Sequence, residues 1–141
     1  MTLPLATART LVDATLAEAR RRSARPLGVV VVDTGGHIVV AAREDGAAFL
    51  RIDIATAKAA AVVGMGGDTR GLAERAAANP VFFNSLAALA NGRVAFSPGG
   101  LPIHAADGTM IGAIGVSGDT ADTDEACATA ALSHFSKDAS S

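Results

Sequence analysis

The chain alternates between segments with helical spacing of apolar residues and short runs that are almost entirely apolar. Leu3 to Arg22 has apolar residues every three or four positions, which places them along one face of a helix. Leu27–Asp33 (LGVVVVD) is nearly continuous, as in a central strand covered on both faces. Thr34-Gly35-Gly36 then turns the chain, and His37–Arg43 returns. We therefore predict a helix followed by a β-hairpin.

The middle of the chain is predicted to be mostly helical. Alanine and β-branched residues fill Leu50 to Gly64, and a glycine-rich break separates this helix from a shorter one at Thr69–Ala78. Pro80 begins a further helical or irregular piece, Val81–Ala90. Val94–Ser97 is predicted to be a short strand.

A second hairpin is predicted between Pro98 and Asp119. Two strand-like runs, Leu101–Ala106 and Met110–Ser117, are joined by Asp-Gly, the strongest short-range hairpin signal. The second run contains glycines at positions 112 and 115, and glycine inside a strand usually marks a bulge, a bend or the close approach of another backbone or a ligand. Thr120 caps the last helix, with Asp122 and Asp124 at its favourable pole.

This order of elements contains hairpins and no β-α-β crossover. It therefore predicts an antiparallel sheet with helices packed on it, in the α+β class. The length of 141 residues and the absence of a linker predict one domain over residues 1–141, with a frayed tail at 136–141.

Composition limits the function. The net charge is −2, and no stripe of Lys and Arg interleaved with aromatic residues is found, so nucleic acid is not an expected partner. The single cysteine, Cys127, excludes an internal disulfide and a cysteine-based zinc site. Because we find neither a signal-peptide pattern nor an apolar run of membrane-spanning length, we expect a cytoplasmic protein without a membrane partner.

Four blocks of sequence carry a resemblance to a known family. They read VVVVDTGGHIVVAAREDGA, IDIATAKAAA, PGGLPI and DGTMIGAIGVSGDTADTDEA. In this order they resemble the GlcG/HbpS-like family of haem-binding proteins, also called the haem-degrading domain, which occurs at the C-terminus of PduO-type cobalamin adenosyltransferases. The resemblance implies a profilin-like or PAS-like sandwich with a five-stranded antiparallel sheet, a small-molecule ligand, and a homo-oligomer, often an octamer.

The family's motif positions transfer to individual residues of this chain. They are Arg43, Asp45, Gly46, Ala47, Lys58, Gly99, Gly100, Gly115, Val116, Ser117, Gly118, Asp124 and Glu125. Two positions near the implied pocket depart from the family pattern: Arg51 stands where many members have serine, and Ala61 where threonine is common. These two departures leave open whether the ligand of this chain is that of the haem binders.

Arg43, Lys58, Ser117 and Asp124 are polar residues set among apolar or small ones, and buried charges need partners. In one interpretation, an Arg43–Asp45 or Lys58–Asp124 ion pair ties a helix to the sheet. In the other, Arg43 and Lys58 hold a carboxylate, from a haem propionate or a small organic acid, near the backbone amides of Gly99-Gly100.

If the ligand is haem, its iron needs an axial ligand. His104 is the best candidate metal ligand, because it lies on a predicted strand beside the glycines, whereas His37 lies in a turn and His134 near the tail. Two other functions stay open. A small enzyme that needs no cofactor could use Lys58 beside Asp124 on an organic acid. The chain could also be an oligomeric accessory domain without a ligand.

Overall fold

The computed structural model describes the backbone of residues 2–140 and the side chains of residues 2–135. Its elements are α1 (Leu5–Arg21), β1 (Gly28–Asp33), β2 (Ile38–Arg43), α2 (Leu50–Met65), α3 (Thr69–Ala78), α4 (Pro80–Leu89), β3 (Gly100–His104), β4 (Met110–Ser117) and α5 (Ala121–Ser140). The α+β class is confirmed. The structure does not describe the side chains of residues 136–140 or any part of residue 141. The frayed tail predicted at 136–141 therefore stays a prediction. Among the described residues, none of the helices is long and apolar enough to cross a membrane.

The sheet has four strands in the order β2-β1-β4-β3, and all neighbours are antiparallel. The prediction of five strands is wrong, because residues 94–97 do not form a strand. The amide of Ala95 donates to the carbonyl of Ala57 in α2 at 3.1 Å, and the ring of Phe96 packs edge-on against Phe83 at 4.9 Å. This segment therefore lies against helices, and its apolar residues cover them instead of extending the sheet.

Helices cover both faces of the sheet. On one face, Leu11 and Val12 of α1 and smaller residues of α5 pack against Val29, Ile114 and Val116. On the other face, Ala55, Ala59 and Val62 of α2 pack against Val30 and Val32. A smaller cluster of Ala61, Leu72 and Phe83 joins α2 to α3 and α4.

The backbone of α2 rests directly on glycines of three strands. A Cβ atom at Gly115 would overlap the carbonyl oxygen of Ala55, and one at Gly100 would lie 2.7 Å from the carbonyl oxygen of Lys58. A Cβ atom at Gly28 would lie 2.9 Å from the carbonyl carbon of Arg51. A glycine inside a strand can mark a bulge, a bend or the close approach of another backbone or a ligand. At these three positions it permits the close approach of the α2 backbone.

Candidate functional site

A buried ion pair connects α2 to α5. The ammonium of Lys58 lies 3.3 Å from the Asp124 carboxylate and donates to the carbonyl oxygen of Val116 at 2.8 Å. The other Asp124 oxygen accepts a hydrogen bond from the amide of Asp119 at 2.9 Å. Lys58 is 3% exposed and Asp124 2%. The structure thus contains the Lys58–Asp124 pair that one interpretation of the sequence required.

Burial moves both members of this pair toward their neutral forms. It lowers the pKa of Lys58, although the attraction of Asp124 partly opposes the change, and the nearby positive charge of Arg51 adds a little to it. Burial also raises the pKa of Asp124, against the effects of the Asp119 amide and Lys58. Each charge therefore depends on its partner for much of its stabilisation.

Gly99 and Gly100 lie against the same lysine. Gly99 has a φ of 129°, and a Cβ atom there would lie 2.8 Å from the Lys58 nitrogen. The amide of Gly100 donates to the hydroxyl of Thr69 at 2.7 Å, which engages one of the two amides predicted to hold an anion. Thr69 is fully buried, and the sequence indicated it only as the start of α3.

Ser117 and Arg43 lie at the same end of the sheet, but only Ser117 lies close to the ion pair. It directly follows Val116, the acceptor of Lys58, and its hydroxyl accepts a hydrogen bond from Arg51 at 3.3 Å. Arg43 is two strands away, since Gly28 pairs with Arg43 on one side and with Ser117 on the other. Its exposed guanidinium donates to the carbonyl of Ala47 at 2.6 Å. In the described part of the chain, no Arg43–Asp45 ion pair is formed.

His104 lies at the opposite end of β4, where it pairs with Met110. It is exposed and lines an open cavity of about 580 Å³ between β3 and α5. Most of the remaining cavity surface is apolar and is formed by Leu101, Pro102, Leu132 and Phe135. We call this cavity the β3–α5 groove. Sequence reasoning placed Leu132 and Phe135 on an apolar helix face, but it contained no signal that this face borders His104.

Another cavity, of about 510 Å³, lies on the outer face of α2. The β1–β2 turn and residues 90–94 form its sides, and Asp53 and Arg93 bring opposite charges to it. Sequence analysis did not indicate this cavity, because its walls meet only in the folded chain. Within residues 2–135, no group of three or more His, Cys, Asp or Glu side chains could hold a metal ion.

Solved structures of three proteins are similar to this fold. A double mutant of HbpS from Streptomyces reticuli has 32% sequence identity, covers 96% of this chain and 88% of its own, and superposes with a TM-score of 0.84. ORFY from Klebsiella pneumoniae has 29% identity, covers 96% and 92%, and has a TM-score of 0.87. PduOC, solved as a haem complex, has 26% identity, covers 94% of each chain and has a TM-score of 0.84.

No curated protein matched the chain. The family model of the HbpS-like haem-degrading proteins matches residues 3–133, which is nearly the whole chain. The four motif blocks lie within that match, so the resemblance seen in the sequence is confirmed. The chain belongs to the HbpS-like haem-degrading protein family.

Proposed function

We propose that the protein binds haem in the β3–α5 groove, with His104 as the axial ligand. The observation that carries the proposal is an exposed imidazole on the wall of a largely apolar groove. The similarity to PduOC, whose structure is a haem complex, supports it.

The residues of the groove suit the parts of haem. Leu101, Pro102, Leu132 and Phe135 offer apolar surface to the macrocycle, and a histidine nitrogen is a common axial ligand of haem iron. The cavity volume lies within the range of about 300–1,000 Å³ typical of small-molecule sites. Because the groove is open on one side, the charged propionates can stay in water. When bound, haem would supply an iron centre for redox chemistry or for binding a small ligand.

Titration with haemin tests this proposal. We expect a saturable shift of the Soret band in the wild-type protein and at least a tenfold weaker affinity, with an altered spectrum, in His104→Ala. His37→Ala is the matched control, because His37 is exposed in the β1–β2 turn. An unchanged spectrum in His104→Ala would exclude that residue, and the absence of a saturable shift in the wild type would exclude haem.

We place a pocket for a small carboxylate at Lys58 and Gly99-Gly100 second. Lys58 already contacts Asp124 and Val116, and Gly100 contacts Thr69, so a ligand would have to displace internal partners. An enzyme that uses Lys58 and Asp124 on an organic acid meets the same obstacle, because both side chains are almost fully buried. If neither haemin nor organic acids bind, we would conclude that the chain is an accessory domain without a ligand.

We also propose a homo-oligomer, with the octamer as the expected form. Three large apolar side chains of α4 are exposed: Val81 at 78%, Phe82 at 48% and Leu89 at 79%. Such a surface is typical of a protein–protein contact. Light scattering at micromolar concentration tests this, and a monomer mass would contradict it. The profilin-like or PAS-like form of the fold and the cytoplasmic location stay predictions.

A further inference from the structure

We propose that Arg51, held in place by the Ser117 hydroxyl, forms a second ligand site, apart from the β3–α5 groove, that binds the carboxylate of a small monoanionic molecule. The two sites lie at opposite ends of β4. His104 pairs with Met110 and Ser117 ends the strand, so roughly 23 Å separate them at the usual rise per residue. The site does not depend on haem binding.

Close packing places Arg51 at this end of the sheet. Its backbone lies directly over Gly28, and Gly28 pairs with Ser117 in the next strand. The half-buried guanidinium therefore reaches the Ser117 hydroxyl with one of its terminal nitrogens, at 3.3 Å. A guanidinium carries five N–H donors, so four are left after this hydrogen bond.

Arg51 has no acidic partner in the part of the chain that the structure describes: no carboxylate oxygen lies within 4.0 Å of it. Arg70 shows how the same chain pairs an arginine structurally, since its guanidinium contacts Asp122 at 2.5 Å and Glu125 at 3.0 Å. Arg51 is less exposed than Arg70 and yet lacks such a pair. A half-buried guanidinium without a carboxylate is suited to an external anion.

The surrounding charges favour a single negative charge on that anion. The enclosed groups are the cations Lys58 and Arg51 and the anion Asp124, whose two oxygens are already engaged by Lys58 and the Asp119 amide. These three groups leave one positive charge in excess. Two further residues, the exposed Arg43 and the partly buried Asp119, add one charge of each sign and do not change the balance.

The geometry of the free donors favours a carboxylate. The edge of a guanidinium offers two parallel N–H groups that match the two oxygens of a carboxylate. Ser117 is only 1% exposed, so its hydroxyl holds the guanidinium in place as an acceptor, and the free donors of Arg51 bind the carboxylate. Phosphate has matching oxygens, but it carries about −1.5 to −2 charge near pH 7 and would exceed the single unpaired positive charge.

The test is an NMR titration of the ¹⁵N-labelled protein with acetate at constant ionic strength, with chloride as the compensating anion. We expect saturable shifts of the Arg51 Nε–H signal and of the Ser117 and Gly118 amides. The affinity for acetate should exceed that for inorganic phosphate. Arg51→Met should weaken binding at least tenfold, and Arg51→Lys should restore only part of it, because lysine keeps the charge and loses the paired donors.

Arg9→Met is the matched control, because Arg9 is an exposed arginine of α1 on the other side of the sheet. It removes the same charge and should leave the titration unchanged. Linear shifts that do not saturate, or saturable shifts at Ser117 that survive in Arg51→Met, would overturn the site. Tighter binding of phosphate than of acetate would overturn the assignment to a monocarboxylate.

Discussion

The two faces of the sheet are packed in different ways. On the α1–α5 face, branched side chains such as Val29, Ile114 and Val116 separate the helices from the strands. On the α2 face, strand glycines let the helix backbone touch the strand backbone, as at Gly115 and Ala55. Ionic contacts differ too, since α2 holds the buried Lys58–Asp124 pair, while on α1 the partly buried Glu18 contacts the exposed Arg21 and Arg22.

This difference shows which face is the more sensitive to change. A side chain can choose another rotamer when a neighbour changes, whereas two backbones in contact have no rotamer with which to relieve a clash. The α2 face is also the face that places Arg51 and Lys58. We therefore expect small substitutions to be more damaging there than on the α1–α5 face.

Gly115→Ala is the most severe test of this comparison. The added methyl group overlaps the carbonyl oxygen of Ala55, so α2 must move away from the sheet. We expect a loss of more than about 4 kcal/mol in the free energy of unfolding, beyond the usual 1–3 kcal/mol for overpacking. Urea denaturation measures the loss.

Gly64→Ala is the matched control, because nothing lies within 4 Å of a Cβ atom there, and alanine in a helix should stabilise by about 0.5–1 kcal/mol. A loss below about 1 kcal/mol for Gly115→Ala would contradict the described contact.

Lys58→Met should have the next largest effect. It leaves Asp124 buried without its cation, and we expect a loss of about 3–5 kcal/mol at neutral pH. The double variant Lys58→Met/Asp124→Leu should recover most of this loss, because no charge then remains buried. Denaturant titrations of both variants measure the difference. If Lys58→Met is as stable as the wild type and loses affinity for an organic acid, Lys58 belongs to a ligand pocket.

The pH dependence of Lys58→Met follows from the same pair. Loss of Lys58 removes an interaction that lowers the pKa of Asp124, so this pKa rises further above its ordinary value of 3.8. The folded variant then binds a proton more tightly than the unfolded chain. Its free energy of unfolding should therefore increase as the pH falls from neutral through the raised pKa toward 3.8.

Ile114→Val removes one methylene group on the α1–α5 face, next to the position where Gly115→Ala adds one. Ile114 is fully buried, and such deletions typically cost about 0.5–1.5 kcal/mol. Hydrogen exchange adds a second measure: protection of α2 amides should fall in Gly115→Ala and stay unchanged in Ile114→Val. Equal loss of α2 protection in both variants would mean that the two faces do not differ as described.

Glu18→Gln should have the smallest effect. Hydrogen bonds from Arg21 and Arg22 lower the pKa of Glu18 from 4.5 to about 2. Its contribution to stability is therefore present above pH 4.5 and is lost as the pH falls toward 2, and Glu18→Gln should flatten this dependence. Denaturation between these pH values checks it. The effect should weaken at high salt, because the guanidinium groups of Arg21 and Arg22 are exposed to solvent. Asp13→Asn, which changes an exposed acid of the same helix, is the control. An unchanged slope in Glu18→Gln would show that this pair does not affect folding.

Local pattern predicted the elements well, because periodicity and turn residues act within a few positions. The spacing gave α3 and β4 with the bounds that the structure has. It failed at Val94–Ser97, where an apolar segment suits a strand and also suits a cover over a helix. Here the segment covers a helix, because the carbonyl of Ala57 accepts a hydrogen bond from the amide of Ala95. Ala57 lies far from this segment in the sequence, so local pattern could not predict the contact.

The candidate sites were predictable only in part. Lys58 and Asp124 could be paired from the sequence, because each is a charge on an apolar helix face. Arg51 was noticeable only as a departure from the family pattern, since its contact with Ser117 depends on the packing of α2 over Gly28. The β3–α5 groove at His104 forms where β3 packs beside α5. No local sequence pattern predicts that these two elements are neighbours.

The strand order also has a consequence for folding. The two central strands, β1 and β4, are neighbours in space, but during synthesis β4 leaves the ribosome about 70 residues after β2. Until then the four consecutive valines of β1 have one unpaired edge. Such an edge can pair with another chain, so the nascent protein is most prone to aggregate in this interval and is protected once β4 closes the sheet.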